Sequence, residues 1–436
     1  MQVPRRSLGV IAVVACAAWS CQNPAPLPPK AGGPRPTDAS LHDSAGGLDA
    51  ASDASPERDA EPPREPRLAR NIIVFMGDGM GPEQLATGRF AKGGRLLLDA
   101  MAGPALATTD SLTTFRIGGP NPPPTDSAAA ATVIATGTLV ENDVLSVGPN
   151  GERYETILEV AKRAGKATGL VTTSTFFDAS PSAFAVHQRS RGLYPEIARE
   201  MLGVTQPDIV MGAGSWLVDD LTTGVRTVAE HSGYAILRGA AELDAWDPAQ
   251  HPRILGLFET TFVPSVVGAE SFTMTPELER SETSADPTLS TMTRRAIERL
   301  SRAPDGFFLF AEDEIFDQIS HRGPAEVEWA NRALPAQVAG LDAAVSVAIE
   351  WVLHHSSFGE TLIVLLADHE TGGYRFDRSL GPDSGDFSAV SGDATTLRVG
   401  QHTRTPIEVY AIGPGSDALQ RVTKHADTYR LLLGLL

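Results

Sequence analysis

Asp78, Ser127, the trio Glu312, Asp317 and His321, and the pair Asp368-His369 with a later His402 could do chemistry together. Carboxylates and imidazoles without cysteine form a ligand set for zinc or a similar borderline metal, and a site of oxygens alone suits magnesium. Ser127 stands in Thr125-Asp126-Ser127-Ala128-Ala129-Ala130-Ala131-Thr132, the start of an alanine-rich helix. Thr125 or Asp126 can cap that helix by accepting from its first free N–H groups. A serine in the first turn then lies where those N–H groups and the helix dipole favour an anion such as phosphate. Each feature alone has a plain structural use: an Asp after a strand caps a helix, a lone His fills core or surface, and an Ala-rich helix packs closely. Four clusters at the ends of one sheet's strands are harder to read that way.

The elements that must position them follow from the hydrophobic pattern. Ile72-Ile73-Val74-Phe75-Met76 is a buried-type strand that runs into Gly77-Asp78-Gly79-Met80-Gly81 and a helix opened by Pro82. A helix near 156–164 stops at Gly165 and feeds a strand from Ala167 to Ser174. Asp208 to Met211 and Gly306 to Phe310 read as further strands, the second entering Glu312. A long helix carries Val338, Leu341, Val345, Ile349 and Val352 on one side, ahead of the strand Leu362 to Leu366 that enters Asp368-His369. Ile407 to Ile412 supplies a last strand. Continuously apolar strands alternating with helices predict an α/β fold: a mostly parallel central sheet with helices on both faces. Ligands of such sheets bind at the carboxyl ends of the strands, where Asp78, Glu312, Asp368 and His369 fall. Residues 240–300 have little clear periodicity, and the stretch around 215–300 is a candidate surface insertion. The Gly77-x-Gly79-x-Gly81 spacing is wrong for a dinucleotide loop.

With 42% hydrophobic and 21% charged residues, the 436-residue chain has the make-up of a globular protein with a large core. Residues 1–70 hold eight acidic and eight basic side chains, so the net charge of -18 lies in the folded part. That charge argues against nucleic acid as a partner and requires local cations if the substrate is a small anion. Arg5 and Arg6 before the apolar run Leu8 to Trp19 mark residues 1–21 as an export signal. The run ends in Ser20-Cys21, which resembles a bacterial lipoprotein signal whose cysteine is lipidated; Cys16 is a second candidate, and plain cleavage is the alternative. The expectation is an exported protein, periplasmic or an outer-membrane-anchored lipoprotein, touching membrane only through that lipid. Residues 22–69, with ten prolines and almost no large apolar side chain, read as a disordered tether. A single catalytic domain is expected over 70–436.

At this point the motifs become specific. Asn71-Ile72-Ile73-Val74-Phe75-Met76-Gly77-Asp78-Gly79-Met80-Gly81 resembles the opening motif of alkaline phosphatases, and the Ser127 segment is similar to their nucleophile signature. Glu312, Asp317 and His321 keep that family's spacing. Ala367-Asp368-His369-Glu370-Thr371-Gly372-Gly373 matches another motif, and His402-Thr403 with Gly413-Pro414-Gly415 resembles the last. The matches run in family order from Asn71 to near the C-terminus. Around His402 the chain departs from the pattern, with Arg404-Thr405-Pro406-Ile407 where a Gly and acidic residues are common.

The resemblance implies two zinc ions and one magnesium ion. Asp317, His321 and His402 would hold one zinc; Asp78, Asp368 and His369 would hold the other, with Ser127 as exchangeable ligand. Magnesium would sit on Asp78, Ser180 and Glu312, with Asp178 near it through water and Gln318 tuning the position. Arg191, with Arg189 as the alternative register, would grip the phosphate oxygens. The implied reaction is hydrolysis of small phosphate monoesters through a phosphoserine, in a family that is commonly dimeric. The competing expectations are a phosphodiesterase or single-metabolite phosphatase of the same superfamily, and a lipoprotein that binds phosphate or metal without turnover.

Overall fold

The computed structural model describes residues 68–119, 121–258, 263–264, 272–273, 286–321, 327–374 and 400–436, with backbone alone for 263–264, 272–273 and 327–332. The export signal, and the tether apart from its last two residues, lie outside the described residues. Strands run in chain order β1 (Asn71–Gly77), β2 (Ala102–Ala107), β3 (Ala167–Thr175), β4 (Ile209–Ala213), β5 (Tyr234–Arg238), β6 (Arg253–Leu257) and β7 (Val263–Pro264). They continue with β8 (Phe272–Thr273), β9 (Phe307–Asp313), β10 (Thr361–Ala367), β11 (Glu370–Thr371), β12 (His402–Thr403) and β13 (Ile407–Ile412).

Nine strands form one sheet in the order β2-β13-β10-β1-β9-β3-β4-β6-β5. From β10 through to β5 every neighbouring pair is parallel; β13 pairs antiparallel with both β10 and β2 and is the one strand of this sheet that runs against the others. All seven residues of β1, β9 and β10 are buried, which is why these strands are apolar without alternation. Helices cover both faces, as the pleat of β9 makes plain. Phe307 packs on Trp351 of the long helix Val327–His355, while Phe308 and Phe310 turn the other way onto Phe184. The expected apolar face of that helix, from Val338 to Val352, is buried. The helix Pro82–Ala91 crosses it so closely that a Cβ on Gly88 would fall 2.1 Å from Val338 Cγ1, so only glycine fits there.

One sequence expectation is corrected. The stretch 215–300 is not simply a surface insertion. Its β5 and β6 extend the main sheet beyond β4, and its helix Leu289–Leu300 buries Leu289, Met292, Ala296, Ile297 and Leu300. Strand β2 was not anticipated at all. Its Ala-Gly-Pro-Ala-Leu-Ala sequence leaves four of six residues exposed and places Pro104 on a sheet edge, where a missing N–H costs no ladder bond.

Candidate active site

Strand register assembles the site. In β1, Met76 pairs with Glu312 and Gly77 with both Asp313 and Ala367, while Thr172 of β3 also pairs with Glu312. Asp78, Glu312 and Asp368 therefore emerge side by side at the carboxyl edge. The turn after β1 needs a glycine: Gly79 has φ +73, and a Cβ there would fall 2.8 Å from Asp317 Cα. The Gly79 N–H donates to Asp368 Oδ1 at 3.0 Å, and the His369 N–H donates to the same oxygen at 2.8 Å. The short ribbon β11–β12 pairs Thr371 with His402 and brings the His402 ring onto His369, centroids 3.6 Å apart.

Ser127 opens the helix Ser127–Thr136, and Asp126 is its cap, accepting from Ala129 N at 2.9 Å. Thr125 serves differently, since its carbonyl lies 3.0 Å from His402 Nδ1. The serine is 3% exposed, with Oγ 3.3 Å from His369 Nε2.

Three histidines present the same nitrogen to one space. His321 Nδ1 lies 2.8 Å from the Gly400 carbonyl, which can only accept, as Thr125's carbonyl does for His402. Thr371 Oγ1 donates its proton to Asp317 Oδ1 at 2.5 Å and is left as acceptor for His369 Nδ1 at 3.2 Å. Protons on Nδ1 leave the Nε2 lone pairs facing inward. His321 Nε2 is 3.1 Å from Asp317 Oδ2 and 3.1 Å from His402 Nε2, which is 3.5 Å from Asp317 Oδ1. His369 Nε2 is 3.1 Å from Asp368 Oδ2 and 3.8 Å from Asp78 Oδ1, and neither oxygen has a hydrogen-bond partner among the described residues. A tetrahedron with bonds of 2.0–2.1 Å has edges of about 3.3–3.4 Å. Both groups fit a zinc-sized ion.

Electrostatics point the same way. Burial, with the charges of Asp368, Asp317, Glu312 and Glu314, pushes the Asp78 carboxyl well above the usual range. Burial also raises Glu312 to about 8, against the Thr172 hydroxyl, which donates to its Oε2 at 2.6 Å. Burial, eased by the Gly79 N–H, and the Asp317 charge leave Asp368 at about 6. His321 is drawn the other way: burial lowers it, but Asp317 outweighs burial and raises it to about 9. A site that holds a proton so firmly on His321 also attracts other cations, which release that proton on binding. His425, which the sequence leaves without ligand-like company, is buried below the site with Nε2 2.6 Å from the Asp368 carbonyl, and burial lowers it to about 4. It is a neutral donor that braces Asp368.

Of the two candidate arginines, Arg191 faces the site. Its Nη2 donates to Asp178 Oδ1 at 2.8 Å and its Nη1 lies 3.8 Å from Asp126 Oδ2, whereas Arg189 is exposed. Burial tends to raise Asp178, but Arg191 and the Ser174 hydroxyl outweigh it and lower the carboxyl below its usual value. Ser180 is buried in the first turn of Ala179–Ala183, close to Glu312.

The loop carrying Arg191 is braced by His187, whose Nδ1 is 3.3 Å from Glu200 Oε1 and whose Nε2 is 3.5 Å from Glu159 Oε2. Burial lowers this imidazole, but the two carboxylates outweigh burial and raise it to about 9. A folded value above the unfolded 6.5 gives stability that is full below pH 6.5 and lost as pH rises through 9. Melting temperature is expected to fall between pH 6.5 and 9. His187→Asn should flatten that slope, and an unchanged slope would remove the imidazolium from the account.

The residues that sequence reasoning did not assign are supports: Thr172, Thr371, Glu314 and His425. Only Glu314 left a signal, its two-residue spacing from Glu312 at the end of β9.

The alkaline phosphatase family model matches residues 69–389. Alkaline phosphatase 4 of Bacillus subtilis is 30% identical over 314 residues, covering 70% of this chain and 62% of its own length. The alkaline phosphatase of Escherichia fergusonii is 30% identical over 420 residues, covering 84% of this chain and 86% of its own. Among solved structures, the alkaline phosphatase of Thermus thermophilus has the same fold, with a TM-score of 0.67 at 22% identity over 85% of this chain and 93% of that one. The parallel sheet with its edge cluster of acids and histidines around a serine at a helix N-terminus thus has a settled kinship: this chain belongs to the alkaline phosphatase family and is a phosphatase.

Proposed function

We propose that the chain hydrolyses phosphate monoesters through a phosphoserine on Ser127, with two zinc ions and one magnesium ion at the edge cluster. The observation that carries this is the Ser127 hydroxyl, 3.3 Å from His369 Nε2 among ligand atoms at tetrahedral-edge spacing. Asp317, His321 and His402 hold one zinc; Asp78, Asp368 and His369 hold the second beside Ser127. Glu312, Ser180 and Asp78 hold magnesium, with Asp178 next to it. When bound, these ions lower the serine's pKa, offset charge on the leaving oxygen and reverse the local field of an acidic protein.

The chain's own groups do the rest. Ser127 Oγ forms a bond to phosphorus as the ester P–O bond breaks, and the leaving alkoxide takes up a proton. Water then attacks the phosphoserine, restoring Oγ and releasing inorganic phosphate. The N-terminal N–H groups of the serine helix favour the dianion, and Asp126 fixes that helix end. Arg191, held through Nη2 by Asp178, keeps further N–H groups for the equatorial phosphate oxygens.

Protein loaded with zinc and magnesium should hydrolyse p-nitrophenyl phosphate and release little from the bis ester. Comparable rates on both would move the reading to a phosphodiesterase, and turnover of a single metabolite alone would narrow it. Arg191→Ala is expected to lower kcat/KM about 10²-fold and to weaken inhibition by inorganic phosphate, with Arg191→Lys recovering only part. Equal phosphate inhibition in all three proteins would remove the clamp. Export, and a lipid on Cys21, belong to the same proposal: labelled palmitate should enter the wild type and not Cys21→Ser. A homodimer is the expected assembly, to be read by sedimentation.

A further inference from the structure

Glu314 has no role in the mechanism above, yet it faces the same charged space. It follows Glu312 by two residues, so along an extended chain both side chains leave the same face. Asp313 between them turns to the opposite side, where Thr173 and Gln337 donate to its carboxylate. The Glu314 N–H donates to Thr173 Oγ1 at 3.0 Å, which fixes the backbone against β3. Its Oε1 accepts from Gln318 Nε2 at 2.5 Å. Its Oε2 is buried with no hydrogen-bond partner among the described residues, and the residue is only 5% exposed.

The neighbours whose charges reach it are Asp178, Asp317 and Glu312, and Asp78 in turn feels Glu314. A buried, unpaired carboxylate oxygen beside like charges is costly. Protonation removes the charge but not the whole cost, because an O–H at Oε2 would also lack an acceptor among the described residues. A divalent cation does remove it. Hard cations take several oxygen ligands, and this side of the site offers carboxylate and hydroxyl oxygens with no imidazole.

We propose that Glu314 Oε2 is an additional ligand, direct or through one water, of the magnesium held by Glu312, Ser180 and Asp78. Gln318 fixes that carboxylate through Oε1. This rests on the reading that a cation occupies that position. The consequence is selectivity: the added carboxylate makes the position more anionic and richer in oxygen, favouring magnesium over zinc.

The test uses zinc-loaded protein freed of magnesium and titrated with magnesium chloride by calorimetry, with melting temperature followed in parallel. Glu314→Gln keeps size and shape and removes only the ability to ionise. It should raise the magnesium Kd about 10–100-fold and shrink the magnesium-dependent rise in melting temperature. Gln318→Met should shift both readings in the same direction by less, and serves if the first variant does not fold. Wild-type affinity in both variants would overturn the proposal, since a carboxyl that stays protonated is closely mimicked by an amide. Glu312→Gln separates the two levels of the argument. If it loses magnesium while Glu314→Gln does not, only the role of Glu314 falls. If it too binds normally, the third cation position itself is wrong.

Discussion

Ser127→Ala is expected to reduce phosphomonoester turnover on the order of 10⁴-fold or more, the scale on which loss of a catalytic nucleophile acts. The variant should still fold and keep its metals. The hydroxyl's only hydrogen bond among the described residues is to His369, and the carboxylates and imidazoles of the candidate metal groups remain. Rapid-quench experiments with ³²P-labelled substrate should trap labelled protein from the wild type in acid and none from the variant. A variant retaining more than about a hundredth of the rate would show that water, not Ser127, attacks phosphorus, and the covalent route would be abandoned.

Chelation is the second large effect. Removing the metals should abolish activity and also lower stability, by about 4 kcal/mol for each site when free metal stands a thousandfold above its Kd. The pH dependence of the stripped protein carries the sharper signature. Glu312 lies at about 8 and Asp368 at about 6 in the folded chain, both raised first by burial. An acid raised above its unfolded value is protonated when folded while the unfolded chain has already ionised. The folded state is therefore least penalised below the ordinary carboxylate range and loses stability as pH rises through those values. Stripped protein should melt progressively lower from pH 5 to pH 9. Metal-loaded protein should lack most of that decline, because its carboxylates face cations. Parallel melting curves with and without chelator across that range would mean that the buried acids do not hold the metals.

Most of the candidate site could be read from sequence because its candidate ligands follow long, fully buried strands. β1, β9 and β10 are unbroken apolar runs, and each delivers its acid at the point where the run stops. What escaped reading has weak local signals. β5 and β6 lie at the sheet edge, where β5 is only partly buried and its apolar run is four residues long, Tyr234 to Leu237. The ribbon that carries His402 to His369 is made of two strands of two residues each, and pairing of that kind has no periodicity to detect. Glu312-Asp313-Glu314 looks like a solvated acidic turn until the pleat separates it into two residues facing the site and one facing Gln337. Arg189 and Arg191 are likewise one alternation apart, and only tertiary placement beside Asp178 distinguishes them.

The position of β1 has a consequence for how the enzyme comes into being. The strand made first sits mid-sheet between two made much later, and its Asn71 side chain bonds Thr361 across 290 residues of chain. Contact order of this kind delays nucleation, since distant parallel pairings form slowly and reward the chain only on completion. A nascent chain leaving the ribosome therefore holds Asp78 and Ser127 without their candidate partners until the segment ending in Asp368 and His369 has followed. Under the proposed ligand assignment neither zinc group is complete before His369 has been made, so metal capture would fall late in maturation.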